Sequence, residues 1–247
     1  MPVNVTPEDF VVDAEIGERA AKDVVEFNAI LARLRERRLT EIEISGPLQR
    51  SMLAWRIATY QQPVLYRVVM LASGCVANWN GRNLLCAYLA ARALMETAAV
   101  LLVFERSLEA LIKSEDLKGI NDLITKSAFA TRDAKLIKEH PNAEATNVLK
   151  TLDKLGKQGF SGIRQHYEFL SERCHPNSSG HHQFFGIRDP DTNIVRYSEW
   201  RELPGNFEQI LGGAMMISFV EPCMDRLDKA IIQVSELQHR IAPLVED

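Results

Sequence analysis

The chain has 247 residues, of which 46% are hydrophobic and 25% are charged, so its composition is that of an ordinary globular protein and excludes a disordered one. Its formal net charge is −4, which excludes the global positive field that draws proteins nonspecifically to nucleic acid or to anionic membranes. Any contact with RNA or DNA must therefore be local.

The N-terminal region predicts a long helix. Thr6 and Pro7 are typical of a helix start, because threonine caps exposed N–H groups and proline is tolerated at the first helical position. The second half of this helix is basic, with arginine at 33, 35, 37 and 38. Such a run is either a solvated face or a contact for an anion or nucleic acid.

A boundary is indicated near residue 45. Residues 39–44 are a loop or an edge strand, and Ser45-Gly46-Pro47 reads as a linker. We therefore divide the chain into an N-terminal helical arm, 1–45, and a single helical-bundle domain, 46–247.

The centre of the chain predicts two long helices. Residues 49–77 are helix-rich, with a break or kink expected at Pro63 because proline removes a backbone donor. Residues 78–81, Asn-Trp-Asn-Gly, read as a turn. From 82 to 112 the apolar positions are too dense for a one-sided stripe, which indicates the central, covered helix of the fold.

The remainder predicts shorter elements around a small β-hairpin, and the fold class is mainly α: a helical bundle with long central and C-terminal helices and one hairpin at about 182–199. HQFFGIR and NIVRYSEW supply the two hairpin strands, separated by a turn-forming Asp-Pro-Asp-Thr. The predicted helices span 116–138, 143–157, 162–174 with Ser161 as cap, and 206–241 with a bend at Pro222.

The end of the 162–174 helix is the best candidate site. Arg164, Glu168, Ser171 and His175 share a helical face that ends where Pro176 turns the chain, and active sites favour such places. The alternative is structural: Arg164 and Glu168 form a solvated pair one turn apart, and His175 simply ends the helix.

Metal binding at this end is disfavoured. His181 and His182 are adjacent and would point to opposite faces of a strand, so only one of them could join His175 and Cys174 around an ion. We expect neither a metal nor another cofactor.

Arg92 and Glu96 form a second constellation, one turn apart inside the apolar run 84–104. That run has the length of a membrane span, but two charges at its centre are expensive in lipid, so we expect a buried helix and no membrane. Either the two charges form an internal salt bridge or a clamp on a neighbouring helix, or they face His175, with Glu96 orienting the imidazole and Arg92 holding an anion.

The motifs ARALMETAAVL (91–101) and YEFLSERCHPNSSG (167–180) resemble a group of bacterial helical proteins with an R-x-x-x-E helix followed by Y-x-x-L-S-E-x-x-H-P-N. These in turn are similar to the HEPN superfamily (higher eukaryotes and prokaryotes nucleotide-binding), helical bundles that include dimeric, metal-independent ribonucleases of toxin and phage-defence systems. The family's catalytic Arg-x4–6-His spacing is not present in this chain.

The resemblance implies a site centred on His175 as general acid or base, with Arg92, Glu96, Ser171 and Glu172 as further catalytic candidates. The candidate binding residues are Tyr167, Asn177, Arg164, Arg173 and His181. Two functions follow as expectations: a protein that binds or cleaves RNA or a nucleotide in bacterial stress or phage defence, or a noncatalytic helical binding or scaffold module. A homodimer and a protein partner are expected for the second.

Overall fold

The structure is a computed structural model that describes residues 8–11, 16–200 and 205–242. The predicted class, a mainly α bundle with one small hairpin, is confirmed. The long helices are α1 (Glu18–Glu36), α2 (Met52–Asn80), α3 (Leu84–Lys113) and α10 (Ile217–Ile241). Between them lie α4 (Leu117–Ala128), α5 (Ala134–Glu139), α6 (Val148–Lys157), α7 (Ile163–Cys174), α8 (His182–Phe185) and α9 (Asn206–Ala214), with strands β1 (Gly186–Arg188) and β2 (Val195–Tyr197).

Several of these helices are capped at the N-terminus by a polar side chain. Asn83 Oδ1 accepts a hydrogen bond from the backbone N–H of Cys86, which starts α3. Ser51 caps α2 and Asn147 caps α6 in the same way. These side chains satisfy N–H groups that have no partner within the helix, so the starts are fixed by local sequence.

The helix α3 is the centre of the fold, as predicted for 82–112. It packs against α2, α10, α7, α9, α4 and α6, and its buried residues belong to one continuous core. By length and composition it is the one helix in the described part of the chain that could cross a membrane. Two thirds of its most apolar stretch is nevertheless buried inside the bundle, which is the usual condition of a core helix.

Two boundaries of the first half differ from prediction. The start predicted at Thr6 lies outside the described residues, and the helix itself begins at Glu18. The helix α2 continues through Pro63 and ends only at Asn80, so the turn predicted at 78–81 was placed too early. Trp79 explains the extension, because its ring packs against Trp200 and Phe207 from the far end of the chain.

The N-cap predicted for α7 was wrong. Gly162 takes the N-cap position with φ 78°, a left-handed conformation that suits glycine, and Ser161 makes no cap. The predicted helix 116–138 is two helices, α4 and α5. The helix predicted for 143–157 begins only at Val148, as α6.

The C-terminal helix is interrupted, but not where expected. It stops at Ala214 and resumes at Ile217, whereas Pro222 lies within α10 without breaking it. The break follows the pair Gly212-Gly213, and adjacent glycines are a known cause of such interruptions.

The hairpin is confirmed but shorter than predicted. β1 and β2 pair antiparallel over three residues each, with Ile187 opposite Arg196. Residues 182–185, predicted as the start of the first strand, form the single turn α8, in which Phe184 is buried against Tyr88. Burial of an aromatic ring therefore outweighs strand propensity here.

The basic run of α1 holds that helix to α10. Arg33 forms a two-pronged ion pair with Glu221, and Arg37 pairs with Asp225 and Asp228. The same helix buries Phe27, Leu31 and Leu34 in the common core, and the boundary at residue 45 stays a prediction. The other arginines of the run contact Glu8 and Ser73 (Arg35) and the ring of Tyr66 (Arg38).

Candidate functional site

Arg92, Glu96 and Tyr167 meet where α3 packs against α7. The Tyr167 hydroxyl accepts hydrogen bonds from Arg92 at 3.0 and 3.3 Å and donates one to Glu96 Oε1 at 2.6 Å. Arg92 Nη2 lies 3.2 Å from the same carboxylate oxygen. We call these three residues the α3–α7 cluster. The sequence pairs Arg92 with Glu96, but only the fold brings Tyr167 between them.

The cluster is half-buried, and its charges stabilise each other. The Tyr167 ring is buried, while the side chains of Arg92 and Glu96 are 28% and 32% exposed. Burial acts to lower the pKa of Arg92, but the hydrogen bond with Tyr167 and the charge of Glu96 outweigh it and raise that pKa. Arg92 is therefore a fixed cation that already has its anionic partner.

Two further α7 side chains lie beside the cluster. Cys174 is close to Arg92, and burial raises the pKa of its thiol to about 11 even though Arg92 opposes that effect. This thiol is protonated and unreactive at neutral pH. The buried Ser171 Oγ has no hydrogen-bond partner among the described residues. An orphaned hydroxyl costs about 1–3 kcal/mol, so Ser171 adds no strength to the cluster.

His175 stands apart from the cluster. It is the C-cap of α7, and its exposed side chain makes no hydrogen bond or ion pair with any described residue. Glu96, which was expected to orient the imidazole, bonds to Tyr167 instead. A general acid or base is usually held in place by a second group, and the described residues supply none.

The turn after His175 is built by its own polar groups. Asn177 donates to Glu172 Oε1 at 2.6 Å and accepts from the backbone N–H of Gly180 at 3.0 Å. Gly180 is buried so closely that an added Cβ would lie 1.9 Å from the carbonyl oxygen of His175. Glu172 and Asn177 thus form a structural corner. His181, which follows it, is exposed.

The two candidate arginines of α7 are already engaged. Arg164 bonds to Glu168 at 2.7 Å and to Asp153 of α6 at 2.9 Å, which matches the structural alternative given for this pair. Arg173 stacks over the rings of Phe169 and Phe184. Within the described ranges no group of three or more His, Cys, Asp or Glu side chains is arranged to hold a metal ion.

His166 was missed by the sequence reasoning. Its Nε2 lies 3.0 Å from the carbonyl oxygen of Gln209, so this nitrogen carries the proton and donates. Burial lowers the pKa of the ring, partly offset by this bond. A single histidine on a helix gives no local signal, and only the distant Gly212, which packs on the ring, marks the position.

A buried ion pair was also missed. Glu105 on α3 receives two hydrogen bonds from Arg226 on α10, at 2.8 and 3.0 Å, and Glu105 is only 4% exposed. The partners are 121 residues apart in the chain, so no spacing in the sequence links them.

No protein-family model, curated protein or solved structure matches this chain. The resemblance to HEPN-like helical proteins therefore stays a prediction.

Proposed function

We propose that this protein is a noncatalytic helical binding module that works as a homodimer. The observation that carries the proposal is a group of exposed apolar side chains on the two central helices, which we call the α2–α3 face. Met70 is 66% exposed, and Leu89 and Val100 are each 42% exposed. Gly74 and Ala93 lie along the same two helix faces, and a Cβ added at Gly74 would meet nothing within 4 Å.

An exposed apolar surface of this kind indicates that another molecule binds over it. The outward side of a central helix is normally charged, but between Leu84 and Phe104 the only charges are Arg92 and Glu96, which pair with each other. The α2 side carries the exposed Arg67, which lies one turn from Met70 and donates to Thr97 Oγ1 of α3. Single exposed apolar residues are common in proteins, whereas several of them on one face are typical of an interaction site.

Arg92 and Glu96, at the edge of this face, favour a second copy of the chain as the molecule that binds over it. If two copies of α3 cross antiparallel near Leu94, Arg92 of each copy lies opposite Glu96 of the other. A two-fold interface needs this reciprocity, because each contact must occur twice with the partners exchanged. Arg92 and Glu96 keep about a third of their side-chain surface exposed, so they are accessible to the other copy.

The noncatalytic part of the proposal rests on how the candidate residues are used. Arg164 and Arg173 make contacts within the bundle, and Glu172 and Asn177 build the corner after α7. The charge of Arg164 is therefore neutralised within the bundle, whereas Arg173 forms no ion pair with the described residues.

The test is the mass of the purified protein by light scattering during gel filtration. The wild type should have twice the 27.9 kDa of the chain, and Leu89→Lys should be monomeric. Leu136→Lys is the matched control, because Leu136 is 46% exposed but lies on α5, and this variant should remain dimeric.

A charge reversal tests the crossing geometry. Arg92→Glu places like charges opposite each other and should weaken the dimer, while Arg92→Glu combined with Glu96→Arg should restore it. A monomeric wild type over the whole concentration range, or a dimer that Leu89→Lys leaves intact, would show that the face is not the interface. Sedimentation of the wild type with lipid vesicles would make lipid the molecule that binds over this face instead.

The exposed His175 imidazole supports a second candidate, an RNA-binding or RNA-cleaving protein. Its side chain is exposed and forms no hydrogen bond or ion pair with the described residues, so it is accessible to a ligand. The discriminating experiment incubates structured RNA with the wild type and with His175→Ala, each with and without a chelator. Cleavage that survives chelation and is lost in the variant would favour this candidate over the binding module.

A further inference from the structure

A groove runs along the bundle beside the start of α7, and none of its residues belongs to the α2–α3 face. Its volume is about 710 Å³, within the range of pockets that hold small ligands. The walls come from α3, the loop before α7, and the α9–α10 junction. The side chains that matter here are Met95, Arg106, Phe160, His166, Met216 and Phe219.

Arg106 is the one charged residue of the groove, and its position is fixed. Its guanidinium lies 5.0 Å from the centre of the Phe160 ring, and Nη1 donates to Gln158 Oε1 at 2.7 Å. Within the described ranges it forms no ion pair, since the nearby Glu109 pairs with Lys113. The groove therefore holds a positive charge with no described carboxylate hydrogen-bonded to it, although Glu109 acts on it at longer range.

His166 supplies a hydrogen-bond acceptor to the groove. Because Nε2 donates to Gln209, the neutral ring keeps Nδ1 as an acceptor, and no described residue donates to it. Gly212 makes room for the ring, since a Cβ there would come within 2.9 Å of His166 Cε1.

Aromatic rings complete the lining. Phe160 and Phe219 pack edge to face with their centres 4.8 Å apart, and Phe219 remains 44% exposed. Together with the methionines they offer a polarisable wall for a flat ring.

We propose that this groove binds a small aromatic carboxylate, with its carboxylate on Arg106, its ring against Phe160 and Phe219, and a donor group reaching His166 Nδ1. Arginine matches a carboxylate through two parallel hydrogen bonds, which gives the ligand its orientation. The groove and the proposed dimer are independent of each other.

The test titrates three probes into isotope-labelled protein and follows the amide spectrum. The probe 4-hydroxybenzoate carries charge, ring and donor, phenol lacks the charge, and acetate lacks the ring. We expect saturable binding of 4-hydroxybenzoate with shifts at 158–166 and 212–219, weaker binding of phenol, and no saturation with acetate. Arg106→Gln should weaken 4-hydroxybenzoate about tenfold and leave phenol unchanged.

Arg132→Gln is the matched control, because it removes the same charge from an exposed position outside the groove and should bind like the wild type. Gly212→Ala should displace the His166 ring and weaken both aromatic probes. Circular dichroism verifies that each variant is folded. Absence of saturable binding, equal affinity in Arg106→Gln, or shifts confined to another surface would each overturn the proposal.

Discussion

Gly180 should not tolerate the smallest side chain. In Gly180→Ala the new Cβ would lie 1.9 Å from the carbonyl oxygen of His175 and 3.2 Å from that of Arg173. Both neighbours are backbone atoms, so relief requires the corner to open by more than 1 Å, which breaks the hydrogen bond from Gly180 to Asn177. Overpacking costs about 1–3 kcal/mol and a lost hydrogen bond about 1 kcal/mol, so unfolding should become easier by about 3 kcal/mol.

Gly156→Ala provides the comparison in the same assay, equilibrium unfolding in urea. Gly156 lies inside α6, and a Cβ there would meet nothing within 4 Å. Alanine is favoured over glycine in a helix by up to about 1 kcal/mol, so this variant should be slightly more stable than the wild type. Equal midpoints for the two variants, or a stable Gly180→Ala protein, would refute the reasoning about the corner.

Three other perturbations test the packing around α3 and α7. Arg226→Met should lower the free energy of unfolding by about 2 kcal/mol, since it leaves the buried Glu105 carboxylate unpaired, and a cost near zero in urea unfolding would contradict the pair. The pKa of His166 lies below its ordinary value, so the contribution of this ring to the free energy of unfolding is full at neutral pH and is lost as the pH falls below about 6.5. In urea unfolding, His166→Gln should therefore lose less stability than the wild type between about pH 7 and pH 5. Cys86 should react first with a thiol reagent on the native protein, because two of the other thiols are fully buried, as mass spectrometry of the labelled peptides can establish.

The sequence predicts the parts of this fold whose causes are local. The dense apolar run that became α3 needs no partner to be recognised, and Asn83 starts it through a bond to a residue three positions on. The ion pair of Arg164 and Glu168 is likewise one turn long.

The candidate site was predicted only in part, because its contacts join residues that are far apart in the chain. Arg92 and Glu96 are linked by spacing, but the Tyr167 hydroxyl that joins them comes from 75 residues away. The same holds for the arginines of α1, whose acidic partners on α10 are 188 to 191 residues distant. Ion pairs of that separation depend on which helices become neighbours, which a single sequence does not state.

Loop and turn details failed where tertiary packing overrides local preference. Residues 182–185 have strand-forming rings, yet burial of Phe184 against Tyr88 holds them in a helical turn. The interruption of the last helix after Gly212 and Gly213 was not predicted, and the bend expected at Pro222, inside α10, stays a prediction.

The pairing of α1 with α10 has a consequence for synthesis of the protein. About 190 residues separate Arg33 from its acidic partner Glu221, so α1 leaves the ribosome long before the surface that completes its burial exists. At translation rates of about 5–20 residues per second, roughly 10–40 seconds pass between the synthesis of Phe27, Leu31 and Leu34 and the synthesis of that surface. During this interval the apolar side of α1 lacks one of the helices that bury it, and α10 completes that burial once it is made.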